Sequence, residues 1–269
     1  MRQYFLGGQD LEMQTIRRLL DVHAPGCVHD RHLAWGHAVA SAYREEIGAA
    51  MGRGESIVFV ELENDLALAR DAVVVVDHHG TAAGRGHKTS LEQVFDLLQL
   101  PSSHWTRDDT LVAANDRAYP PGLLAAGASS EEARVIREAD RAAQGITAEE
   151  EHAAEVAIGA RESRLGGTLL IVRLPHARMA TVADPLHAAT GGPGYEHLLV
   201  VSPDEINLDS TGPVIDALLT RYGKERTWVG GDLPTRGFYG RTGVPSDIVG
   251  AVEEAILSGD TRGRHGRTV

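Results

Sequence analysis

Two continuous runs of β-branched and apolar residues constrain the fold more than any other feature of this sequence. They are "SIVFVELE" (56–63) and "AVVVVD" (72–77). Neither run alternates between apolar and polar residues, which is typical of strands covered on both faces. Helical patterns separate the strand-like runs, with "DLEMQTIRRLLDV" (10–22) following "YFLGG" (4–8) and "SLEQVFDLL" (90–98) following the valines. This alternation predicts an α/β protein with a mostly parallel sheet.

Three shorter segments complete the interpretation of the first half. "GHAVASAYREEI" (36–47) predicts a second helix, and Ser90 with Gln93 predicts a capping box at the start of the helix over 90–98. "TLVAAND" (110–116) is either another strand or a buried helix, and it ends in an acid.

Acidic residues follow the predicted strands. Since ligand crevices in parallel sheets lie at the carboxyl ends of the strands, we expect these side chains to converge. They are Asp10 and Glu12, Glu61 and Glu63, the run Asp77–His79, and Asp116.

The second half of the chain begins with a charged, alanine-rich segment, 129–164, which predicts two surface helices joined near Gly145. Its exposed apolar positions are compatible with a homodimer. Strands, helices and a glycine-rich segment follow, at 168–174, 197–202, 213–223, 228–240 and 246–257. We therefore predict an N-terminal parallel-sheet domain with flanking helices (1–128), a helical connector (129–165) and a smaller C-terminal α/β substrate domain (166–269).

Composition restricts both location and partners. No apolar run reaches the ~18–20 residues of a membrane helix, and the N-terminus lacks an apolar secretory core, so a cytoplasmic protein is predicted. The net charge of −12 disfavours wrapping of long nucleic acid, whereas a small phosphorylated substrate is compatible with it. Cys27 is the only cysteine, so a metal would be held by carboxylates and histidines.

The three residues Asp77, His78 and His79 have metal-binding side chains in consecutive positions. Adjacent residues on a regular strand point to opposite faces, so they reach one site only if the strand ends there, and Gly80 permits the turn. With the neighbouring carboxylates they would trap a divalent ion, and two such ions can clamp a phosphoryl group. The alternative is a pair of solvated loop histidines.

"VVVVDHHG" (73–80) resembles the signature of the DHH phosphoesterase superfamily. The other family motifs follow in order, with Asp10-x-Glu12 after the first strand, Glu61 before the signature and Asp116 after the next crossover. The resemblance implies a centre that holds one or two ions of Mn²⁺ or, alternatively, Mg²⁺. It also implies that Asp77, His78 and His79 are catalytic, with His79 orienting the phosphate. The implied ligands are Asp10, Glu12, Glu61, Asp77, His78 and Asp116.

The second half resembles the substrate domain of the same family more loosely. "INLDSTG" (206–212) and "WVGGDLPTRGFYG" (228–240) would supply the contacts to the far end of the substrate. The residues implied are Asp209, Ser210, Gly230, Gly231 and Arg236, together with His79 from the first half. The alternative for the glycine-rich segment is an ordinary turn between a strand and a helix.

The sequence departs from the family pattern at four positions. Leu6 replaces the usual histidine of the first motif, Glu12 and Glu61 replace aspartates, and Asp232 follows Gly231 where the family has a histidine. These changes leave the number and identity of the ions open. Residues that could replace the missing ligand are His29, Asp30, His32 and His37, although such residues are more often surface or capping groups.

The leading hypothesis is a divalent-metal-dependent phosphoesterase, a hydrolase acting on a small nucleotide, dinucleotide or short oligonucleotide through a metal-activated water. A second hypothesis is a degenerate protein of the same fold that binds a nucleotide or a protein partner without turnover. The third is a metal hydrolase of unrelated substrate.

Overall fold

The computed structural model describes residues 1–34, 36–79, 87–233 and 235–265. The chain divides into two compact units, Met1–Gly145 and Ile146–Val269. The predicted turn at Gly80 lies outside the described residues. Among the described residues, no helix combines the length and apolarity that a membrane crossing requires.

The first unit is an α/β domain, as predicted. Its four strands form one sheet in the order β2-β1-β3-β4, and every neighbouring pair is parallel. Its main elements, in chain order, are β1 Arg2–Leu6, α1 Leu11–His23, β2 Val28–Asp30, α2 Arg44–Gly52, β3 Ser56–Val60, β4 Val73–Val76, α3 Ser90–Leu97, α4 Arg107–Ala125 and α5 Ser130–Ala143, with short 3₁₀ turns at Ala40–Tyr43 and Ser102–His104.

Apolar side chains cover both faces of the central strands. On one face, Leu6, Val58 and Val60 share a core with Ile16 and Leu20 of α1. On the opposite face a second core packs against α2, through Phe5, Ile57, Phe59 and Ile47. This packing explains the absence of polar alternation in β3, and it fixes the carboxyl ends of β1 and β3 side by side.

The valine run was predicted to be a strand covered on both faces, but β4 lies at the edge of the sheet. Val73 and Val76 are buried, whereas Val75 is 57% exposed. Four valines in a row therefore reflect strand propensity, and only part of the run is covered on both faces.

Of the two alternatives predicted for 110–116, a strand or a buried helix, the structure has the helix. Asp116 therefore lies within α4, whose helical conformation breaks two residues later at Ala118 and Tyr119, just before Pro120. The capping box of α3 is formed by Thr89 and Glu92, one residue earlier than predicted, with the Thr89 side chain accepting from Glu92 N.

The second unit contains a six-stranded mixed sheet in the order β5-β6-β7-β8-β10-β9, in which only β6 and β7 pair in parallel. Its elements are α6 Ala148–Gly159, β5 Glu162–Arg164, β6 Leu169–Arg173, α7 Ala180–Leu186, β7 His197–Val201, β8 Glu205–Thr211, α8 Gly212–Tyr222, β9 Thr227–Asp232, β10 Arg236–Thr242 and α9 Ile248–His265, with 3₁₀ turns at Leu165–Gly167 and Ala188–Thr190.

In the glycine-rich segment, β9 and β10 pair antiparallel as a hairpin, so the alternative of a turn between a strand and a helix is wrong. A Cβ atom on Gly230 would lie 2.3 Å from the ring of Phe238, and Gly231 has φ +99°. These glycines let β9 and β10 approach closely. The two helices predicted near Gly145 exist, with α5 in the first unit and α6 in the second; the boundaries 1–128, 129–165 and 166–269 stay a prediction.

We expect Gly7→Ala to destabilise the first unit. A Cβ atom at Gly7 would lie 2.3 Å from the carbonyl oxygen of Glu61, so one of the two backbone segments must shift. The expected loss in the free energy of unfolding is about 1–3 kcal/mol. Urea denaturation followed by circular dichroism measures this loss.

Gly48→Ala is the matched control, because Gly48 lies inside α2 with open space around it. There alanine should stabilise the helix by about 1 kcal/mol relative to glycine. Equal effects of the two substitutions would contradict the steric argument.

Candidate metal centre

Four of the predicted ligands converge in the first unit. Glu12 lies in the first turn of α1, Glu61 directly follows β3, His78 follows β4, and Asp116 lies within α4. One ligand atom from each lies within 4.8 Å of every other. Glu12, Glu61 and His78 are buried, and Asp116 is partly buried. Two of the side chains therefore follow strands and two lie in helices, with Glu12 just after β1 in the chain.

The imidazole of His78 is at the middle of this group. Its Nε2 atom is 2.6 Å from Oδ2 of Asp116. Its Nδ1 atom is 3.2 Å from Oε1 of Glu61 and 3.9 Å from Oε2 of Glu12. A single imidazole thus has carboxylates on both ring nitrogens.

The two glutamates are anchored by the start of α3. Leu91 N donates to Oε1 of Glu12 at 3.0 Å, and the Ser90 hydroxyl donates to Oε1 of Glu61 at 2.7 Å. Ser90 Oγ also lies 3.2 Å from His78 Nδ1. Two consecutive residues therefore fix both carboxylates.

Oδ2 of Asp116 is buried and contacts Nε2 of His78 at 2.6 Å, whereas Oε2 of Glu12 is buried and makes no hydrogen bond within the described part of the chain. Leaving such an atom unpaired is costly. Carboxylate oxygen and imidazole nitrogen are ligands that Mn²⁺ accepts, and carboxylate oxygen also suits Mg²⁺. The residues present therefore fit a divalent ion.

Burial and mutual repulsion change the acidity of the cluster when no ion is bound. Burial, with the nearby charges of Asp116 and Glu61, raises the pKa of Glu12 well above its usual value. Burial and the charge of Asp116 raise the pKa of Asp10 to about 8. Burial lowers the pKa of His78, but hydrogen bonds to Asp116 and Glu61 outweigh it and raise that pKa to about 10. Without an ion the cluster holds protons, and a divalent cation would displace them.

The backbone at Glu61 is strained, with φ +51°. This left-handed conformation is unfavourable for a residue with a side chain. Gly7 N donates to the carbonyl of Val60 beside it, at 2.9 Å. Strain of this kind persists where the surrounding structure enforces it, often at functional sites.

His79 and Asp77 form a separate contact at the edge of the centre. Oδ1 of Asp77 accepts from His79 N at 2.8 Å and lies 3.1 Å from His79 Nδ1. The His79 side chain is 50% exposed, and its Nδ1 atom is 3.6 Å from Oε1 of Glu61. Glu61, His78 and His79 form a second group of atoms close enough to hold an ion. The Asp77 carboxylate belongs to neither group.

Asp10 is near the centre but faces its own helix. Its Oδ1 atom accepts from Met13 N at 2.8 Å as the N-cap of α1. Leu6, where the family pattern has a histidine, is fully buried in the apolar core. The candidate replacement ligands are absent from both metal-compatible groups found among the described residues; they are His29, Asp30, His32 and His37.

In the second unit, two of the predicted substrate residues, Asp209 and Arg236, form an ion pair. Asp209 Oδ1 is 3.0 Å from Arg236 Nε, and the Tyr195 hydroxyl donates to Oδ2 of Asp209 at 2.7 Å. Ser210 is fully buried, with its hydroxyl 2.6 Å from Nδ1 of His197. Gly230 and Gly231 lie inside the hairpin.

Four polar residues around the centre are not identified as site residues by the sequence. Ser90 has the pattern of a helix cap, Arg137 and Asp140, in α5, have that of a charged surface helix, and Asn115 has no distinguishing pattern. All four are buried. The only signal for them is a polar residue at a buried helical position, which a single sequence does not separate from an exposed one.

Comparison with known proteins supports the fold. No family model and no curated protein sequence matches this chain. RecJ from Thermus thermophilus, solved with Mn²⁺, is 14% identical, with a TM-score of 0.50 over 97% of this chain and 52% of RecJ. This chain thus spans about half the length of that protein. An exonuclease RecJ bound to manganese is 12% identical, with a TM-score of 0.41 over 97% of this chain and 90% of that protein. The pGpG-specific phosphodiesterase PggH from Vibrio is 10% identical, with a TM-score of 0.38 over 96% of this chain and 97% of PggH. The chain has a RecJ-like fold.

We expect the contribution of His78 to stability to fall as the pH rises in protein freed of metal by EDTA. Its pKa is about 10 in the folded protein and 6.5 in a solvated chain. The contribution is therefore fully present below pH 6.5 and is lost as the pH rises through 10. One pKa unit is worth about 1.4 kcal/mol, so the difference in the free energy of unfolding between wild type and His78→Gln should shrink by a few kcal/mol. Urea denaturation between about pH 6 and pH 10 measures this difference in the free energy of unfolding. A difference between wild type and His78→Gln that stays constant across this pH range would contradict the ion pairs described.

Proposed function

We propose that this chain is a divalent-metal-dependent phosphoesterase. The observation that carries the proposal is the buried Oε2 atom of Glu12, which has no hydrogen-bond partner in the described residues and lies 3.9 Å from Nδ1 of His78. Oδ2 of Asp116 lies against the other ring nitrogen of the same imidazole. The proposed ligands of one ion are Glu12, Glu61, His78 and Asp116. We propose Mn²⁺, with Mg²⁺ as the alternative, because the RecJ structure of similar fold contains Mn²⁺.

A bound divalent ion would supply Lewis acidity, polarising a phosphoryl oxygen and strengthening water as a nucleophile at neutral pH. The protein side chains orient the reactants around it. His79 is half exposed and adjacent to the ligand Glu61, so it is placed to contact a phosphate. Asp77 fixes the backbone and the ring of His79. Asp10 stays a predicted ligand, and a second ion at Glu61, His78 and His79 stays a prediction as well. For Asp77, predicted as a ligand from the sequence, we propose the orienting role instead, because its carboxylate belongs to neither group of ligand atoms.

The proposed substrate is a small nucleotide, a dinucleotide or a short oligonucleotide. The net charge of −12 disfavours long nucleic acid, whose binding requires a track of basic residues. In the second unit, Arg236 is partly exposed and paired with Asp209, and contacts of this pair with a substrate stay a prediction from the sequence. Ser210, Gly230 and Gly231 would support these contacts by holding β8 and β9 in place. A cytoplasmic location and a homodimer stay predictions from the sequence.

A binding protein without turnover is the second candidate. The observation that favours it is Leu6, whose fully buried apolar side chain stands where the family pattern has a metal-binding histidine. Tight nucleotide binding without cleavage, and without manganese, iron or zinc in protein purified gently, would support this candidate.

Purified protein should hydrolyse bis(p-nitrophenyl) phosphate or a dinucleotide when Mn²⁺ is added, and Asp116→Asn should lower kcat/KM by about 100-fold or more, because a ligand oxygen is lost. Release of p-nitrophenol and chromatography of nucleotides measure the rates. Asp108→Asn is the matched control, since Asp108 is an exposed aspartate in the first turn of the same helix. No hydrolysis across a broad panel of phosphate esters and divalent ions would overturn the proposal.

Asp77→Asn should separate binding from turnover. The Asp77 carboxylate contacts His79 and lies outside both groups of ligand atoms. We therefore expect the Kd for Mn²⁺ to stay within about threefold of wild type while kcat falls by about 10-fold or more, as for the loss of an orienting group. Isothermal titration calorimetry and steady-state kinetics measure the two quantities. A loss of Mn²⁺ binding equal to that of Asp116→Asn would instead make Asp77 a ligand.

A further inference from the structure

A buried ion pair lies in α5, a helix that contributes no residue to the metal-compatible groups. Nη1 of Arg137 is 2.7 Å from Oδ2 of Asp140, and each side chain is only 4% exposed. Burying two charges costs several kcal/mol of desolvation per ion, which the mutual attraction only partly returns. A pair of this kind is therefore weak evidence for stability, and its contacts indicate another role.

One end of the pair holds the start of α1. Oδ1 of Asp140 accepts a hydrogen bond from Leu11 N at 3.2 Å. Leu11 is the first residue of α1, so its N–H has no partner within the helix. The next residue is Glu12, a proposed ligand. Gln144 Nε2 donates to Oδ2 of Asp140 at 3.1 Å and helps to fix that carboxylate.

The other end of the pair holds α4. Nη1 of Arg137 donates to Oδ1 of Asn115 at 2.9 Å, and Asn115 is 3% exposed. The next residue is Asp116, another proposed ligand. The Arg137 guanidinium also lies over the ring of Tyr119, 5.3 Å from its centroid, where the helical conformation of α4 breaks.

The ion pair thus joins the two chain segments that carry Glu12 and Asp116, and each segment is contacted one residue before its ligand. We propose that Arg137 and Asp140 are positioning residues, which set the separation of the Glu12 and Asp116 carboxylates that ion binding requires. The inference rests on the proposed metal centre and extends it to α5, which supplies no ligand. Residues that orient metal ligands through hydrogen bonds typically change metal affinity by ~10–100-fold when they are substituted.

The test is the double variant Arg137→Met/Asp140→Leu, in which apolar side chains replace both members of the pair. Replacing a buried ion pair in this way is often neutral for stability. The Kd for Mn²⁺ is measured by calorimetry at a temperature well below the melting temperature of every variant. We expect a melting temperature near that of wild type and a Kd raised by ~10–100-fold.

A matched control lies on the same helix. Arg134 Nη1 is 2.6 Å from Glu138 Oε1, and both side chains are about half exposed. The variant Arg134→Met/Glu138→Leu removes the same two charges from α5 at the surface, and the Kd should stay at the wild-type value. A smaller change, Asn115→Ala, removes only the hydrogen bond between Arg137 and α4. It should raise the Kd for Mn²⁺ by ~10-fold.

The outcomes separate this inference from the proposed function. If wild type binds Mn²⁺ and Glu12→Gln does not, the proposed metal centre is supported. A wild-type Kd in both the double variant and Asn115→Ala would then overturn the positioning role, whatever the melting temperatures of these variants. If the double variant fails to fold, Asn115→Ala decides alone, with a raised Kd supporting the inference and an unchanged Kd overturning it. Wild-type protein that binds no Mn²⁺ would overturn both.

Discussion

The first unit depends on the burial of carboxylates around a single imidazole. Glu12, Glu61 and Asp116 lie close enough to His78 that all three cannot carry a negative charge in a poorly solvated site without compensation. Protons supply that compensation when no ion is bound, as the raised pKa values of Glu12 and His78 show. The apolar cores on both faces of the sheet make this arrangement tolerable, because they hold the carboxyl ends of β1, β3 and β4 in one place.

The two glutamates show how a longer side chain fits a position where the family pattern has aspartate. Each one is held by a hydrogen bond to Oε1, from Leu91 N for Glu12 and from the Ser90 hydroxyl for Glu61. Both donors come from the first turn of α3. The extra methylene adds a rotatable bond to each ligand, and the anchor removes the freedom that this bond would otherwise give. The start of α3 is therefore as much a part of the centre as the strand ends are.

The sequence predicted the α/β fold and the convergence of the strand ends because both follow from local patterns. It failed where structure depends on distant partners. The run 110–116 is short and apolar, which suits a strand or a helix equally, so the helical position of Asp116 was not determined. Gly230 and Gly231 suggested a turn, but they lie in β9, which pairs with β10, and the absence of a side chain at Gly230 leaves room for the Phe238 ring. The pair Arg137 and Asp140 has the i, i+3 spacing of a surface salt bridge, and only tertiary packing buries it.

The hydrogen bond from Leu91 to Glu12 gives the protein an internal reporter. A backbone amide exchanges its hydrogen for deuterium only when its hydrogen bond opens. Since the acceptor of this amide is a carboxylate of the candidate centre, the frequency of opening depends on how firmly that carboxylate is held. The deuterium uptake of Leu91 would therefore follow occupancy of the centre without a label, a chromophore or a substrate.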